Sequence, residues 1–149
     1  MKVLTDSNIL LRYGQSNDPK HQTCCDALDR LVAWGHEPCV CSQTLAEFWV
    51  VTTRPANVNG LGLTFDEAIA RLTAIDAAFS ILPDPPHMAR HWRAVIEAHR
   101  VMGRQAHDAR LAALMLAHGV THILTLNPRD FARYDGITPV TPQEIHQTP

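Results

Sequence analysis

Residues 103–131, GRQAHDARLAALMLAHGVTHILTLNPRDF, predict a helix, a strand and a polar turn in direct succession. The first part is small and apolar, with alanine at five positions, and Gly119 is a typical residue for the end of a helix. Residues 122–126 are rich in isoleucine, leucine and threonine and are too few for a helix, so they indicate a strand. The rest of the chain is interpreted outward from this segment.

Two acidic residues of the segment lie where a ligand site is expected in an α/β protein. Asp108 falls in or near the first turn of the predicted helix, where the helix dipole favours a carboxylate. Asp130 follows the predicted strand, in a turn shaped by Asn127 and Pro128. Because open α/β sheets bind ligands beyond the carboxyl ends of their strands, we expect the two acids to meet at that edge.

Length and composition indicate one ordinary globular domain. The 149 residues match the size of a single domain, expected to span 1–149, and 46% hydrophobic content suffices for one core. No apolar run approaches the ~20 residues that span a bilayer, and the N-terminus lacks the apolar stretch of a signal peptide. We therefore expect a cytoplasmic protein without membrane contact. A formal net charge of −2 argues against binding nucleic acid by bulk charge alone, but allows a local basic rim or metal ions in an acidic pocket.

Cysteine and histidine pairs offer weak metal-binding patterns. Cys39 and Cys41 form a C-x-C pair, which is narrower than the spacing of structural zinc sites, so we expect reduced thiols buried in a strand. His87 and His91 lie four residues apart on a predicted helix. Because no third ligand occurs at matching spacing, a solvated helix face is the favoured interpretation.

Asp6 lies between a predicted strand, residues 2–5, and a predicted helix, residues 8–13. Aspartate is a common N-cap residue, and in that interpretation Asp6 or Ser7 stabilises the start of the helix. In the other interpretation Asp6 is a ligand at the mouth of a central strand. The residues around Asp6 leave both interpretations open.

Glu47 is the only charged residue between Ser42 and Arg54, on a predicted helix rich in aromatic and β-branched residues. A carboxylate on a mostly buried helix is costly unless it is paired, protonated or bound to a cation. A salt bridge to Arg54 is one explanation. A carboxylate retained for function is the other, and the burial cost favours it.

Strands alternate with helices along the remaining chain. This pattern predicts an α/β fold of three layers, α/β/α, with a central and mostly parallel sheet. Right-handed crossovers then place the strand ends, with Asp6 and Asp130, at one edge, where Asp108 and Glu47 can reach from helices. Further helices are predicted after Pro19, from Thr64 to Phe79 and from His87 to Val101, with strands near residues 39–41, 81–83 and 138–140.

Four short motifs resemble those of PIN domains and, in particular, of the VapC toxins. Each motif is weak alone, but their order and spacing match over nearly the whole chain. The first is TDSNIL at 5–10, the third is HDARLAA at 107–113 and the fourth is TLNPRDF at 125–131. The second is LAEF at 45–48, which is followed by Thr53-Arg54-Pro55 and by NGLGL at 59–63.

The resemblance implies a metal-dependent ribonuclease of the PIN fold, the toxin of a type II toxin–antitoxin pair that a VapB-type antitoxin inhibits. We also expect a homodimer. The resemblance assigns Asp6, Glu47 and Asp108 as acidic metal ligands. Asp130 matches the fourth acid, while Asn127 can share its role.

Mg²⁺ or Mn²⁺ suits such a site because both ions prefer hard oxygen ligands and keep several waters. A bound metal lowers the pKa of a water and stabilises the charge that develops on a phosphodiester. Asn8 and Thr125, together with Asn127, are candidates to hold the carboxylates in place. Candidate contacts to RNA phosphates are the arginines near the acids: Arg12, Arg54, Arg104 and Arg129.

Two alternatives come from other functional classes. A phosphoacceptor or regulatory module would use one strand-end aspartate, which explains Asp6 and leaves Glu47 without a role. A phosphatase of the haloacid-dehalogenase type would need a second aspartate where this chain has Asn8. A non-catalytic binding protein on the same fold is a further alternative. The sequence also leaves open which RNA would be the substrate: transfer RNA, a ribosomal RNA loop or messenger RNA.

Overall fold

The computed structural model describes residues 1–147, which form a five-stranded sheet with helices on both faces. The strands are β1 (Lys2–Thr5), β2 (Glu37–Cys41), β3 (Ser80–Leu82), β4 (His122–Leu124) and β5 (Thr138–Val140). The α-helices are α1 (Ser7–Tyr13), α2 (His21–Ala33), α3 (Ser42–Thr53), α4 (Phe65–Ala78), α5 (Met88–His99), α6 (Gln105–His118) and α7 (Pro142–Gln147). Single turns of 3₁₀-helix lie at Ala56–Val58 and Pro128–Asp130.

The strand order is β3-β2-β1-β4-β5, and every strand pair is parallel. From the central β1 the chain adds β2 and β3 on one side, then returns to place β4 and β5 on the other. The direction of winding therefore reverses between β1 and β4. In open α/β folds such a reversal opens a crevice at the carboxyl ends of the two strands. The predicted parallel α/β architecture is confirmed.

The central strands β1, β2 and β4 bury both of their faces, and successive side chains point to opposite sides of the sheet. The residues that alternate along the central strands accordingly separate into two cores. One core contains Leu4, Cys39 and Ile123 with residues of α5 and α6, and the other contains Val3, Val40 and Leu124 with residues of α1–α4 and α7. This two-sided burial explains the nearly continuous apolar character of β1 and β4.

Several predicted boundaries are corrected by local hydrogen bonding. The helix predicted to start at Pro19 begins at His21, because the backbone N–H of Lys20 donates to Asp18 Oδ1 (2.8 Å) in a turn that precedes it. The helix predicted from His87 starts at Met88, and His87 adopts a left-handed conformation with φ 59°. His87 and His91 therefore do not share a helix face.

The predicted end of α6 is confirmed. Gly119 ends α6 with φ 67°, a conformation that glycine adopts without strain. All four cysteines are free, and Cys39 and Cys41 are buried in β2. Within residues 1–147 no helix combines the length and the apolar composition required to cross a bilayer.

Candidate active site

Asp6 leaves β1 at the crevice between β1 and β4, and its carboxylate is held from several directions. Its backbone N–H donates to the carbonyl of Leu124 (3.0 Å), which ties the end of β1 to β4. Its Oδ2 accepts hydrogen bonds from Asn8 Nδ2 (2.7 Å) and Thr125 Oγ1 (2.6 Å). Asp6 occupies the N-cap position of α1, but its side chain makes no capping hydrogen bond. The simple capping interpretation is therefore wrong.

Asn8 and Thr125 form a small polar network that fixes the loop after β4. Asn8 Nδ2 also donates to Thr125 Oγ1 (3.2 Å), and Asn8 Oδ1 accepts from the backbone N–H of Leu126 (3.1 Å). Thr125 is fully buried, and its Oγ1 accepts from the backbone N–H of Asn127 (3.0 Å). Asn127 thus takes part through its backbone while the residue itself is exposed.

Glu47 reaches the same crevice from α3. Ser7 Oγ lies 2.9 Å from Glu47 Oε2 and 3.3 Å from Asp6 Oδ1, so one hydroxyl stands between the two carboxylates. Within residues 1–147 no ion pair joins Glu47 to Arg54, whose Nη2 instead donates to the carbonyl of Asn59 (2.9 Å). The salt-bridge explanation of Glu47 is therefore wrong.

The expectation of a mostly buried α3 is also corrected. Only Thr44, Phe48 and Thr52 of this helix are buried, while Val50 is 53% exposed and Glu47 is half-buried. The helix covers the sheet with one narrow face, so its apolar composition overstates its burial. Burial cost alone therefore does not indicate a functional role for Glu47. The evidence for such a role is the position of Glu47 beside Asp6.

Asp108 lies in the first turn of α6 and is half-buried. Its pKa is raised to about 6, mainly by burial and then by the charges of Asp130, Asp6 and Glu47, in that order of importance. Burial likewise raises the pKa of Asp6, with a smaller contribution in the same direction from Glu47 and an opposing one from the Thr125 hydrogen bond. The acids predicted from four separate segments therefore act on one another electrostatically.

Gln43 is the main residue of the site that sequence reasoning missed. Its Nε2 donates to Glu47 Oε1 and to the carbonyl of His107, both at 2.9 Å. Its Oε1 accepts from Arg110 Nη1 (3.2 Å), and Arg110 Nη2 is paired with Asp84 Oδ2 (2.8 Å). One amide therefore joins Glu47 on α3 to the first turn of α6. The sequence did contain one indication of this role: Gln43 lies four residues before Glu47 on a predicted helix, a spacing that makes the two side chains neighbours.

The predicted RNA-contacting arginines divide into two pairs. Arg12 forms an ion pair with Asp18 (3.6 Å), and Arg54 holds the carbonyl of its own following loop, so both are engaged within the protein. Arg104 immediately precedes α6 and Arg129 lies in the 3₁₀ turn after β4, and both residues are exposed.

An open cavity of about 480 Å³, here called the acid cavity, lies beside Glu47. It has a polar side near the acids and an apolar side provided by α3. Its lining residues are Ser7, Gln43, Ala46, Glu47, Val50, Val51 and His107.

The chemistry of the donors fits a hard divalent cation. Carboxylate oxygens from Asp6, Glu47, Asp108 and Asp130 are the ligand type that Mg²⁺ and Mn²⁺ prefer. Repulsion from the other three acids contributes, after burial, to the raised pKa of Asp108, and a cation would relieve it. Within residues 1–147, no group of three or more Asp, Glu, His or Cys side chains is assembled for a metal ion. The carboxylates of Asp6 and Glu47 instead share the hydroxyl of Ser7.

Several solved structures share this fold, and VapBC proteins are among them. VapBC2 from Rickettsia felis bound to a promoter DNA fragment matches with TM-score 0.70 and 15% identity, over 95% of this chain and 98% of that chain. DNA-bound VapBC from Salmonella typhimurium matches with TM-score 0.69 and 18% identity, over 95% and 98%. VapC20 from Mycobacterium tuberculosis, a toxin that cleaves the sarcin–ricin loop, matches with TM-score 0.63 and 16% identity, over 92% and 99%.

Sequence comparison adds the family. No curated protein matches the sequence. The model of the PIN domain family matches residues 3–137, which include Asp6, Glu47, Asp108 and Asp130. This match covers most of the chain and agrees with the parallel sheet and the acidic crevice, so the chain belongs to the PIN domain family.

Proposed function

We propose that this PIN-domain protein is a divalent-metal-dependent endoribonuclease, the toxin of a VapBC-type toxin–antitoxin pair, acting in the cytoplasm. The observation that carries the proposal is the convergence of carboxylates at the crevice between β1 and β4, with Ser7 between Asp6 and Glu47 and with mutual charge effects reaching Asp108. Membership of the PIN domain family and the likeness to VapBC structures support it.

Asp6, Glu47, Asp108 and Asp130 are the proposed ligands of Mg²⁺ or Mn²⁺. When bound, the metal supplies a water of lowered pKa and neutralises charge on the scissile phosphodiester. Asp130 is favoured over Asn127 as the fourth ligand, because a carboxylate is negatively charged where an amide is neutral, and the charge of Asp130 acts on Asp108.

The neighbouring side chains keep the acids in position. Thr125 and Asn8 both donate to Asp6 Oδ2, which fixes the plane of that carboxylate. Gln43 and Ser7 donate to opposite oxygens of Glu47. Held in this way, the carboxylates lose little conformational freedom when a cation and a phosphate arrive, and such preorganisation is a major source of catalytic rate.

The substrate is proposed to be single-stranded or looped RNA. The exposed arginines at the edge of the site, Arg104 and Arg129, are the proposed contacts to its phosphates. The phosphoacceptor alternative is disfavoured, because Asp6 is only 7% exposed and its Oδ2 accepts hydrogen bonds from both Asn8 and Thr125.

Protein partners are proposed from the apolar surface beside the acids. Val50, which lines the acid cavity, is 53% exposed, and Phe65, which is 67% exposed, packs against Trp49, the residue before Val50 on α3, with ring centroids 5.7 Å apart. Exposed apolar side chains grouped beside a site are typical of protein-binding surfaces. We propose a VapB-type antitoxin and a homodimer as the partners.

The test is cleavage of labelled RNA by the purified protein, with Asp108→Asn as the matched inactive variant. We expect cleavage with Mg²⁺ or Mn²⁺, none with excess EDTA, and a rate lower by at least about a hundredfold in the variant. Cleavage that persists at full rate in EDTA, or equal rates for the two proteins, would refute the metal-dependent mechanism.

A further inference from the structure

A second cavity, here called the Trp92 cavity, lies between α5 and α6. It measures about 490 Å³ and adjoins the acid cavity, since His107 lines both. His107 immediately precedes Asp108, and its carbonyl accepts the hydrogen bond from Gln43 that ties α6 to Glu47. The residues that line the Trp92 cavity are mainly apolar: Met88, Ala89, Trp92, Ala106, His107 and Arg110.

Trp92 presents a fixed aromatic surface to this cavity. Its indole Nε1 donates to the carbonyl of Ala106 (2.9 Å), so its one polar group is satisfied and its ring is held against α6. The residue nevertheless remains 37% exposed. A flat apolar ligand can therefore stack on the ring without competing for the N–H group.

The segment around the cavity is basic. Residues 85–107, which lie between Asp84 and Asp108, contain four arginines and one glutamate, a formal charge of +3, and Arg93 is ion-paired with that glutamate, Glu97 (2.8 Å). Arg90, Arg93, Arg100 and Arg104 are all exposed. A symmetric contact between two copies of the chain would bring two such segments together, which their like charge opposes. The positive charge of this segment favours binding of a polyanion.

We propose that the Trp92 cavity binds an unpaired nucleobase of the RNA substrate, stacked on Trp92, next to the phosphate held at the acids. This inference rests on the proposed ribonuclease function. An RNA chain that is bound at Asp108 and continues over His107 reaches the Trp92 cavity directly, because His107 lines both cavities. The base must be unpaired, since a base within a duplex has both faces covered by its neighbours.

The first experiment compares Trp92→Ala and Trp92→Phe with Trp34→Ala. Trp34, at the end of α2, is 39% exposed and lines neither of the two cavities, so it is a matched control. The assay measures the affinity for a fluorescent single-stranded RNA that the wild type cleaves, by anisotropy in EDTA, and then KM and kcat with Mn²⁺. We expect Trp92→Ala to weaken binding and raise KM about tenfold, Trp92→Phe to retain most affinity, and Trp34→Ala to match the wild type.

The second experiment removes the base instead of the ring. RNA substrates that carry one abasic nucleotide at successive positions beside the cleavage site are measured with the wild type and with Trp92→Ala. At one position the abasic RNA should lose about tenfold in affinity for the wild type and nothing further for Trp92→Ala, because both changes remove the same contact.

Three outcomes would overturn the inference. One is that Trp92→Ala leaves RNA affinity and KM unchanged while the wild type cleaves RNA. This result would refute base binding at Trp92 but not the ribonuclease function. Another is that Trp92→Ala keeps RNA affinity but weakens the antitoxin complex or changes the oligomeric state, which assigns the cavity to a protein partner. The third is that the wild type neither binds nor cleaves RNA, which removes the proposed function as well.

Discussion

Ser7 illustrates at the scale of single residues why the site favours a cation. Its hydroxyl carries one proton and lies within reach of both Asp6 and Glu47, so it can satisfy only one carboxylate at a time. The charge of Glu47 consequently contributes to the raised pKa of Asp6, after burial. A cation at this position would neutralise both carboxylates at once.

Asp108 should make the stability of the metal-free protein depend on pH. Its pKa is 3.8 in the unfolded reference and about 6 in the fold, so the folded state binds the proton more tightly. Unfolding therefore releases protons between these values, and the free energy of unfolding falls as pH rises through that window. The loss continues as pH rises through the folded-state pKa of about 6 and ends only where Asp108 is fully charged in both states.

Asp108→Asn should remove this contribution. In EDTA the variant should be more stable than the wild type by about 1 kcal/mol near pH 7, a value that allows for the partial solvent exposure of the carboxylate. Near pH 4 the advantage should largely vanish. Urea titrations of both proteins at the two pH values measure the difference, and an equal difference at both would show that Asp108 is not the titrating group.

At the scale of elements, Gln43 connects α3 to α6 and so sets the distance between Glu47 and Asp108. Gln43→Met keeps the length of the side chain and removes its hydrogen bonds to Glu47 and His107. We expect Mn²⁺ affinity to fall by about 10–100-fold, the range observed when partners of metal ligands are removed. Isothermal calorimetry measures this affinity, and urea titration checks the fold.

Gln22 provides the control for that prediction. It lies on α2, lines neither the acid cavity nor the Trp92 cavity, and also donates to an acid four residues later, Asp26 (2.7 Å). Gln22→Met should leave Mn²⁺ affinity unchanged. If both glutamine variants lose affinity equally, or neither does, Gln43 does not position Glu47.

The elements also show what a sequence can and cannot predict. Asp6 and Asp130 were predictable, because parallel strands place their carboxyl ends at one edge of the sheet. The exposure of α3 was not predictable, because the composition of a helix does not indicate how much of its surface is covered by other elements. Nor were the contacts of Gln43 with His107 and Arg110, which join residues 64 and 67 positions apart and depend on how α3 packs beside α6.

At the scale of the whole molecule, the strand order explains why the site lies where it does. β1 carries Asp6 and neighbours β2 on one side and β4 on the other, so the reversal of winding opens the crevice beside Asp6. The alternation of strands and helices predicted a parallel sheet but not this order. The four family motifs predicted which acids to look for, and the fold explains how distant segments bring them close.

The proposed toxin role predicts a growth phenotype. Expression of the wild-type chain alone should arrest growth, and co-expression with the antitoxin encoded beside it should restore growth. Asp108→Asn, expressed to the same soluble level, should be harmless because it retains the fold and loses a proposed metal ligand. Normal growth at high soluble levels of the wild type would contradict the toxin assignment.

The central claim is that carboxylates from distant parts of the chain form one divalent-cation site, and Mn²⁺ titration of the wild type and Glu47→Gln by isothermal calorimetry tests it most directly. The variant keeps an acceptor for Gln43 or Ser7 and removes one negative charge, so we expect its Mn²⁺ affinity to fall more than tenfold. Its free energy of unfolding in EDTA should stay within about 0.5 kcal/mol of the wild type. Absence of Mn²⁺ binding by the wild type, or equal affinities of the two proteins, would contradict the account.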